Sequence, residues 1–144
     1  TFSYDSPSAT NGLDLLADPY RLKVTVQPYM MARIVDLYDF IKRYPFLTDI
    51  QPIRLAVSDA TLPANQGIWS LTRHNGQVTL NRVSDQLTGP ADIQLTIQQL
   101  TTACFGTQSL ARAYQHGLIT GDVNAINRLD TSLVKELPAL IDYF

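Results

Sequence analysis

The fold is decided by Gly67-Ile68-Trp69-Ser70-Leu71-Thr72-Arg73-His74-Asn75-Gly76-Gln77-Val78-Thr79-Leu80-Asn81-Arg82-Val83. Two strand-forming runs, 67–73 and 77–83, flank Asn75-Gly76, residues that tolerate the positive φ angles of a type I′ hairpin turn. An antiparallel hairpin therefore stands in the middle of the chain. On its N-terminal side Ile53, Leu55 and Val57 alternate with Arg54, Ala56 and Ser58, the pattern of a strand with one buried face. On its C-terminal side the turn residues Thr88-Gly89-Pro90 precede another alternation, Ile93, Leu95 and Ile97 against Asp92, Gln94 and Thr96.

Further out the period becomes helical. Asp36 stands as N-cap of a helix over 37–43, with Leu37, Phe40, Ile41 and Tyr44 at helical spacing and Pro45 ending it. Gln98 to Phe105 and Ser109 to His116 read as short helices stopped by Gly106 and Gly117. Asp122 caps a third, with Val123, Ile126, Leu129 and Leu133 as its buried stripe and Pro138 closing it. Before the first helix, Leu22 to Val26 alternates like a strand, Pro28 interrupts it, and Tyr29 to Val35 reads as a second strand. Thr1 to Pro19 is rich in Ser, Asp, Asn and Pro without a sustained period, and residues 1–21 are read as a linker or the remnant of a preceding domain. The start at Thr1, not Met, is taken as excision from a longer polypeptide. Strands followed by helices, with a hairpin at the centre, predict an α+β domain over 22–144: an open, mainly antiparallel sheet with helices packed on one face.

Composition narrows the function. A formal net charge of −2 supplies no basic field for phosphates, so nucleic acid is not an expected partner. No apolar run reaches the roughly 18 residues of a membrane helix, and no membrane partner is expected. The single cysteine, Cys104, excludes an intramolecular disulfide and a thiolate metal cage, and suits a reducing interior such as the cytoplasm. Placed between Ala103 and Phe105, it reads as a small buried hydrophobe and not as a nucleophile.

The other chemistry-bearing residues have structural readings. His74 precedes the turn and should be exposed, while His116 suits a helix C-terminus electrostatically. The acidic residues are single turn formers and caps without metal-binding spacing, so no metal site is expected. Neither Gly-x-Gly-x-x-Gly, nor a Walker pattern, nor a Gly-x-Ser-x-Gly elbow occurs. Trp69 reads as a core or sheet-face aromatic. The tail is the unusual feature: Pro138-Ala139-Leu140-Ile141-Asp142-Tyr143-Phe144 finishes on two aromatics, where termini are normally polar. A free carboxylate on an apolar anchor can act as a positioned base; alternatively the two rings dock on their own core, which the residues alone favour.

Pro28-Tyr29-Met30-Met31-Ala32-Arg33-Ile34-Val35-Asp36 resembles the opening of the last domain in bacterial N-acetyltransferases of the enhanced-intracellular-survival (Eis) type. Further points of resemblance follow in order: Asn65-Gln66-Gly67-Ile68-Trp69, Leu87-Thr88-Gly89-Pro90-Ala91-Asp92-Ile93, Leu100-Thr101 through Phe105-Gly106, Gly117-Leu118-Ile119-Thr120-Gly121-Asp122, and the aromatic end. The resemblance implies a C-terminal domain similar to sterol carrier protein, following an acetyltransferase domain of the GNAT type and a degenerate second copy. It implies that the chain binds no cofactor and has no activity alone, acetyl-CoA belonging to the parent protein. Its partners would be the acetyltransferase domains of its own parent chain, with homo-oligomers a tendency of the family. By the same resemblance the carboxylate of Phe144 serves, through water, as base toward the acceptor amine, and Asp142 and Tyr143 lie near that acceptor. Some relatives have an acidic residue where this sequence has Tyr143, which leaves the acceptor open. The alternative, from a different class, is a carrier of lipid or another apolar ligand, using a tunnel between sheet and helices.

Overall fold

In the computed structural model, which describes residues 31–136, β1 (Ile50–Ser58) forms the middle of a five-stranded sheet. β2 (Gly67–His74) and β3 (Gln77–Ser84) add antiparallel on one side. β4 (Ile93–Thr96) and the two-residue β5 (Thr120–Gly121) add on the other, giving the order β3-β2-β1-β4-β5. Asn75 and Gly76 turn the hairpin with φ of 49° and 80°, so its register from His74↔Gln77 is the one the Asn-Gly pair demands.

Pairing between β1 and β4 is parallel, which the alternation of apolar residues does not encode. Its cause is the path of residues 85–92. Gly89 lies so close to the Ile68 side chain that an added Cβ would stand 2.8 Å from its Cδ1. Asp92 then joins β1, its amide donating to Arg54 O (2.8 Å) and its carboxylate accepting from Arg54 N (2.7 Å). The segment thus recrosses β2 on the Ile68 face and enters β4 in the direction of β1. It buries Ile68 and Ala56, which point away from the main core.

On the other face, cross-strand partners Ile53↔Leu71, Leu71↔Leu80, Leu55↔Trp69, Leu55↔Ile93 and Val57↔Leu95 align one buried row per strand. Four helices complete this core. α1 (Leu37–Arg43) starts at Asp36, whose carboxylate accepts from Asp39 N. α2 (Ile97–Cys104) starts at a capping box between Thr96 and Gln99, which ends β4 one residue earlier than the alternation suggests and turns Ile97 into the first helical residue. α3 (Leu110–Gln115) is capped by Ser109, and α4 (Val123–Ser132) by Asp122. Ala125, Ile126 and Leu129 form the buried stripe of α4, whereas Val123, expected in it, is 45% exposed. A residue in the first turn lies beyond the edge of the sheet-facing stripe.

The strand expected over 22–26 lies outside the described residues. Of that expected over 29–35, the described residues 31–35 pair with no strand. Side chains take their backbone groups instead: Thr101 Oγ1 accepts from Ile34 N (3.3 Å), and Asn65 Nδ2 donates to Val35 O (3.1 Å). A segment whose amides are satisfied in this way has no ladder to join.

Candidate functional site

Asp142, Tyr143 and Phe144 lie outside the described residues. What the structure does define is how the chain is held as it runs toward them, over residues 133–136. Tyr44, just past the end of α1, is the centre of this arrangement. Its hydroxyl donates to Cys104 O (2.9 Å) at the end of α2 and accepts from Val134 N (3.0 Å). Burial pushes the Tyr44 phenol above the ordinary tyrosine range, against the lowering effect of the Val134 amide, so it keeps the proton it donates.

Around this bond the fit is tight. Tyr44 packs edge-on to Phe46 (ring centroids 4.7 Å apart) and beside Phe40 (5.7 Å), which stacks on Phe105 (6.0 Å). Leu133 is buried, and Leu47 N donates to Ser132 O (2.8 Å). Lys135 pairs with Asp130 (3.0 Å), whose other oxygen accepts from Leu110 N (2.6 Å) at the start of α3. Gly106 ends α2 with φ of 69°, and a Cβ there would stand 2.9 Å from Glu136 O and 3.1 Å from Lys135 O. Residues just past the ends of α1 and α2, and Asp130 on α4, therefore meet these four residues of chain.

A second polar cluster holds the opposite end of the described chain. Asp59, 2% exposed, accepts from the amides of Thr61 and Leu62 (both 2.9 Å), from Asn65 Nδ2 (2.9 Å) and from the Arg33 guanidinium. Burial pushes the Asp59 carboxyl upward, but these donors outweigh it and hold it at about 2. Asn65 also accepts from Leu37 N (2.9 Å), and its carbonyl accepts from Trp69 Nε1 (3.0 Å). Arg82 covers the Trp69 ring at 5.2 Å from its centroid while pairing with Asp85 (2.8 Å). Trp69 is thus a core residue with a satisfied N–H, in agreement with the sequence reading. The sequence treats Asp59 only as a turn former; its pairing with Arg33, 26 residues away, has no local signal beyond a lone arginine in an apolar run.

Nothing in the described residues assembles a reaction centre by itself. Cys104 is buried, and burial pushes its thiol up to about 12, the opposite of an activated nucleophile. His74 is exposed beside Asp49 (3.8 Å), and His116 is the C-cap of α3. No group of three His, Cys, Asp or Glu able to hold a metal occurs among the described residues. Two shallow depressions open to the surface: about 330 Å³ lined by Pro52, Arg54, Ser70, Pro90, Ala91 and Asp92, and about 310 Å³ beside Phe40, Arg43 and Tyr44. Neither is lined by the core-facing residues of the sheet. No described helix is long and apolar enough to cross a membrane.

Among solved structures the chain is similar to a probable N-acyltransferase from Enterococcus faecalis V583, with 34% identity, a TM-score of 0.76, and coverage of 91% of this chain and 32% of that one. It is also similar to a GCN5-related N-acetyltransferase from Kribbella flavida, with 31% identity, a TM-score of 0.64, and coverage of 78% and 28%. Eis1 from Mycobacterium abscessus shares the fold at 21% identity, with a TM-score of 0.60 and coverage of 78% and 27%. No curated protein matches the chain. The chain thus spans between about a quarter and a third of the length of these solved structures. Residues 37–141 match the sterol carrier protein domain, and it is to this family that the chain belongs.

Proposed function

We propose that the chain is the C-terminal accessory domain of an acetyl-CoA-dependent N-acetyltransferase of the Eis type, working in the cytoplasm with the acetyltransferase domains of its own parent chain. The observation that carries this reading is the 34% identity to a probable N-acyltransferase of which the chain covers only 32%. A domain that accounts for a third of such a protein has an acyl-transfer site to serve. In this reading it has no activity alone. The Phe144 carboxylate acts as base, with Asp142 and Tyr143 forming part of the wall around the acceptor.

The chemistry asks for such a base. An amine that is protonated near neutral pH has no lone pair to attack with until a proton leaves it. A carboxylate within reach, directly or through one water, accepts that proton. The acceptor ammonium gives one proton to the carboxylate, the freed amine forms the C–N bond to the thioester carbonyl of acetyl-CoA as the C–S bond breaks, and the second amine proton leaves with the sulfur as CoA thiol.

The test is acetyl transfer from acetyl-CoA to a panel of amines by the full-length parent, the parent lacking Phe144, and the parent extended by one glycine. The extension keeps the ring of Phe144 but moves the carboxylate by about 3.5 Å. We expect both changes to lower kcat by about a hundredfold or more near neutral pH, the usual contribution of a positioned base. Full activity in both variants refutes the role of Phe144.

A further inference from the structure

The geometry points to Asn75-Gly76 as a self-modifying site, at which the turn between β2 and β3 closes to a succinimide, loses ammonia and is opened by water to aspartate or isoaspartate, with His74 serving the departing nitrogen. In this chemistry the backbone nitrogen that follows an asparagine attacks the carbonyl carbon of its side chain. It is fastest where the following residue is glycine, because no Cβ stands in the way. Gly76 meets that condition in space as well as in sequence: apart from its chain neighbours, nothing lies nearer to an added Cβ than Arg73 Nη2 at 4.0 Å. Asn75 and Gly76 are both exposed, so water reaches the imide directly.

The groups around the turn are those the reaction uses. Asn75 Nδ2, the atom that leaves, is 3.2 Å from His74 Nε2, its only hydrogen-bond partner among the described residues. Across the same ring, His74 Nδ1 faces an oxygen of Asp49 at 3.8 Å. Asp49 is fixed in its turn, one oxygen accepting from the Asn75 amide (3.0 Å) and the other from Arg73 (3.1 Å). The Asn75 amide, and after it the Gly76 amide and the Arg73 and His74 side chains, hold the Asp49 carboxyl below the ordinary carboxylate range against the cost of desolvating it. A carboxylate behind one imidazole nitrogen and a leaving group before the other is an arrangement that aims a proton at the departing atom.

The step balances without any group beyond water. Gly76 N bonds to Asn75 Cγ and loses its proton to water, His74 Nε2 delivers a proton to Nδ2 as the Cγ–Nδ2 bond breaks, and ammonia leaves. Water then adds to one of the two imide carbonyls and reopens the ring. The turn reacts once with itself and turns over no substrate. Either product places a second carboxylate beside Asp49, and isoaspartate also lengthens the backbone of a two-residue turn that sets the His74↔Gln77 register.

The experiment incubates the chain at neutral pH and follows the fragment bearing residue 75 by mass spectrometry, beside a synthetic peptide of residues 72–79, with His74→Ala made in both. The same dipeptide occurs at Asn11-Gly12, so the change is assigned fragment by fragment. The His74 side chain is exposed, and its loss leaves the core untouched. We expect the residue-75 fragment of the chain to gain about 1 Da, no more slowly than the free peptide does, and to resolve into aspartate and isoaspartate forms by chromatography. In the chain His74→Ala slows conversion about tenfold or more, whereas in the peptide, where nothing holds the ring in place, it changes the rate little. An Asn75 that stays intact in the chain while the free peptide converts overturns the inference, because the folded turn then protects the side chain. Equal effects of His74→Ala in chain and peptide overturn the part assigned to His74.

Discussion

At the scale of single residues, the most consequential polar group among the described residues is Asp59. Its carboxylate is almost fully buried and its four donors come from three separate pieces of chain: Arg33, the turn at Thr61 and Leu62, and Asn65. Because those donors hold it at about 2, below its ordinary 3.8, the ionised form is favoured by folding. The resulting stability is fully present above the ordinary value and is lost as pH falls from about 4 toward 2. The difference corresponds to about 2 kcal/mol. Asp59→Asn removes the charge that Arg33 answers; with its new NH2 in place of Oδ2 it faces the Asn65 amide, and turned the other way it leaves Arg33 and the Thr61 and Leu62 amides without their shared acceptor. We expect it to cost about 2 to 3 kcal/mol in urea unfolding at neutral pH and to flatten the fall in stability between pH 4 and pH 2. An unchanged acid slope in the variant would show that other carboxylates carry it.

At the scale of elements, the β2–β3 turn and the end of α2 use glycine for different reasons. Gly76 has φ of 80° but open space around it, the nearest atom to an added Cβ being Arg73 Nη2 at 4.0 Å. Gly76→Ala therefore has only a conformational cost, about 1 kcal/mol, read as a lower Tm with no change in activity of the parent. Gly106→Ala adds a contact at 2.9 Å with Glu136 O to a similar φ, and must lower Tm further. Equal losses at the two positions would argue against a tight fit at residue 136. The same hairpin explains what could be read in advance. Asn75-Gly76, Asp36 and Asp122 act through neighbours in sequence, so their turn and caps were legible. The parallel register of β4 on β1, the pairing of Arg33 with Asp59, and the bond from Tyr44 to Val134, 90 residues away, depend on where the chain returns in space. Tyr29 to Val35 misled for that reason: its composition suits a strand, but Thr101 and Asn65 reach its backbone first. The tail could be singled out for its two aromatics, yet nothing local announced that Tyr44 would hold the chain leading to it.

At the scale of the whole molecule, membership of the sterol carrier protein domain family raises the question of whether this chain carries an apolar ligand. A carrier needs an empty apolar space that the fold keeps open, since ligand pockets bury most of their ligand. Here the layer where such a space would lie is occupied. Ile53, Leu55, Leu71 and Ile93 from the sheet face Ile41, Leu100, Leu110, Ile126 and Leu129 from the helices within one continuous cluster, each 2% exposed or less. Opening a tunnel through them means separating side chains that gain about 25 cal/mol for every Å² of apolar surface they hide from water. A ligand would have to return that loss before binding at all. We therefore expect a fluorescent fatty acid titrated with the chain to show no saturable rise in emission at micromolar protein. Stoichiometric, saturable binding displaced by unlabelled fatty acid would establish an apolar site and make transport the first function to pursue. Its absence is what a close-packed interior requires, since a core already filled by its own side chains has no apolar surface left to offer a ligand.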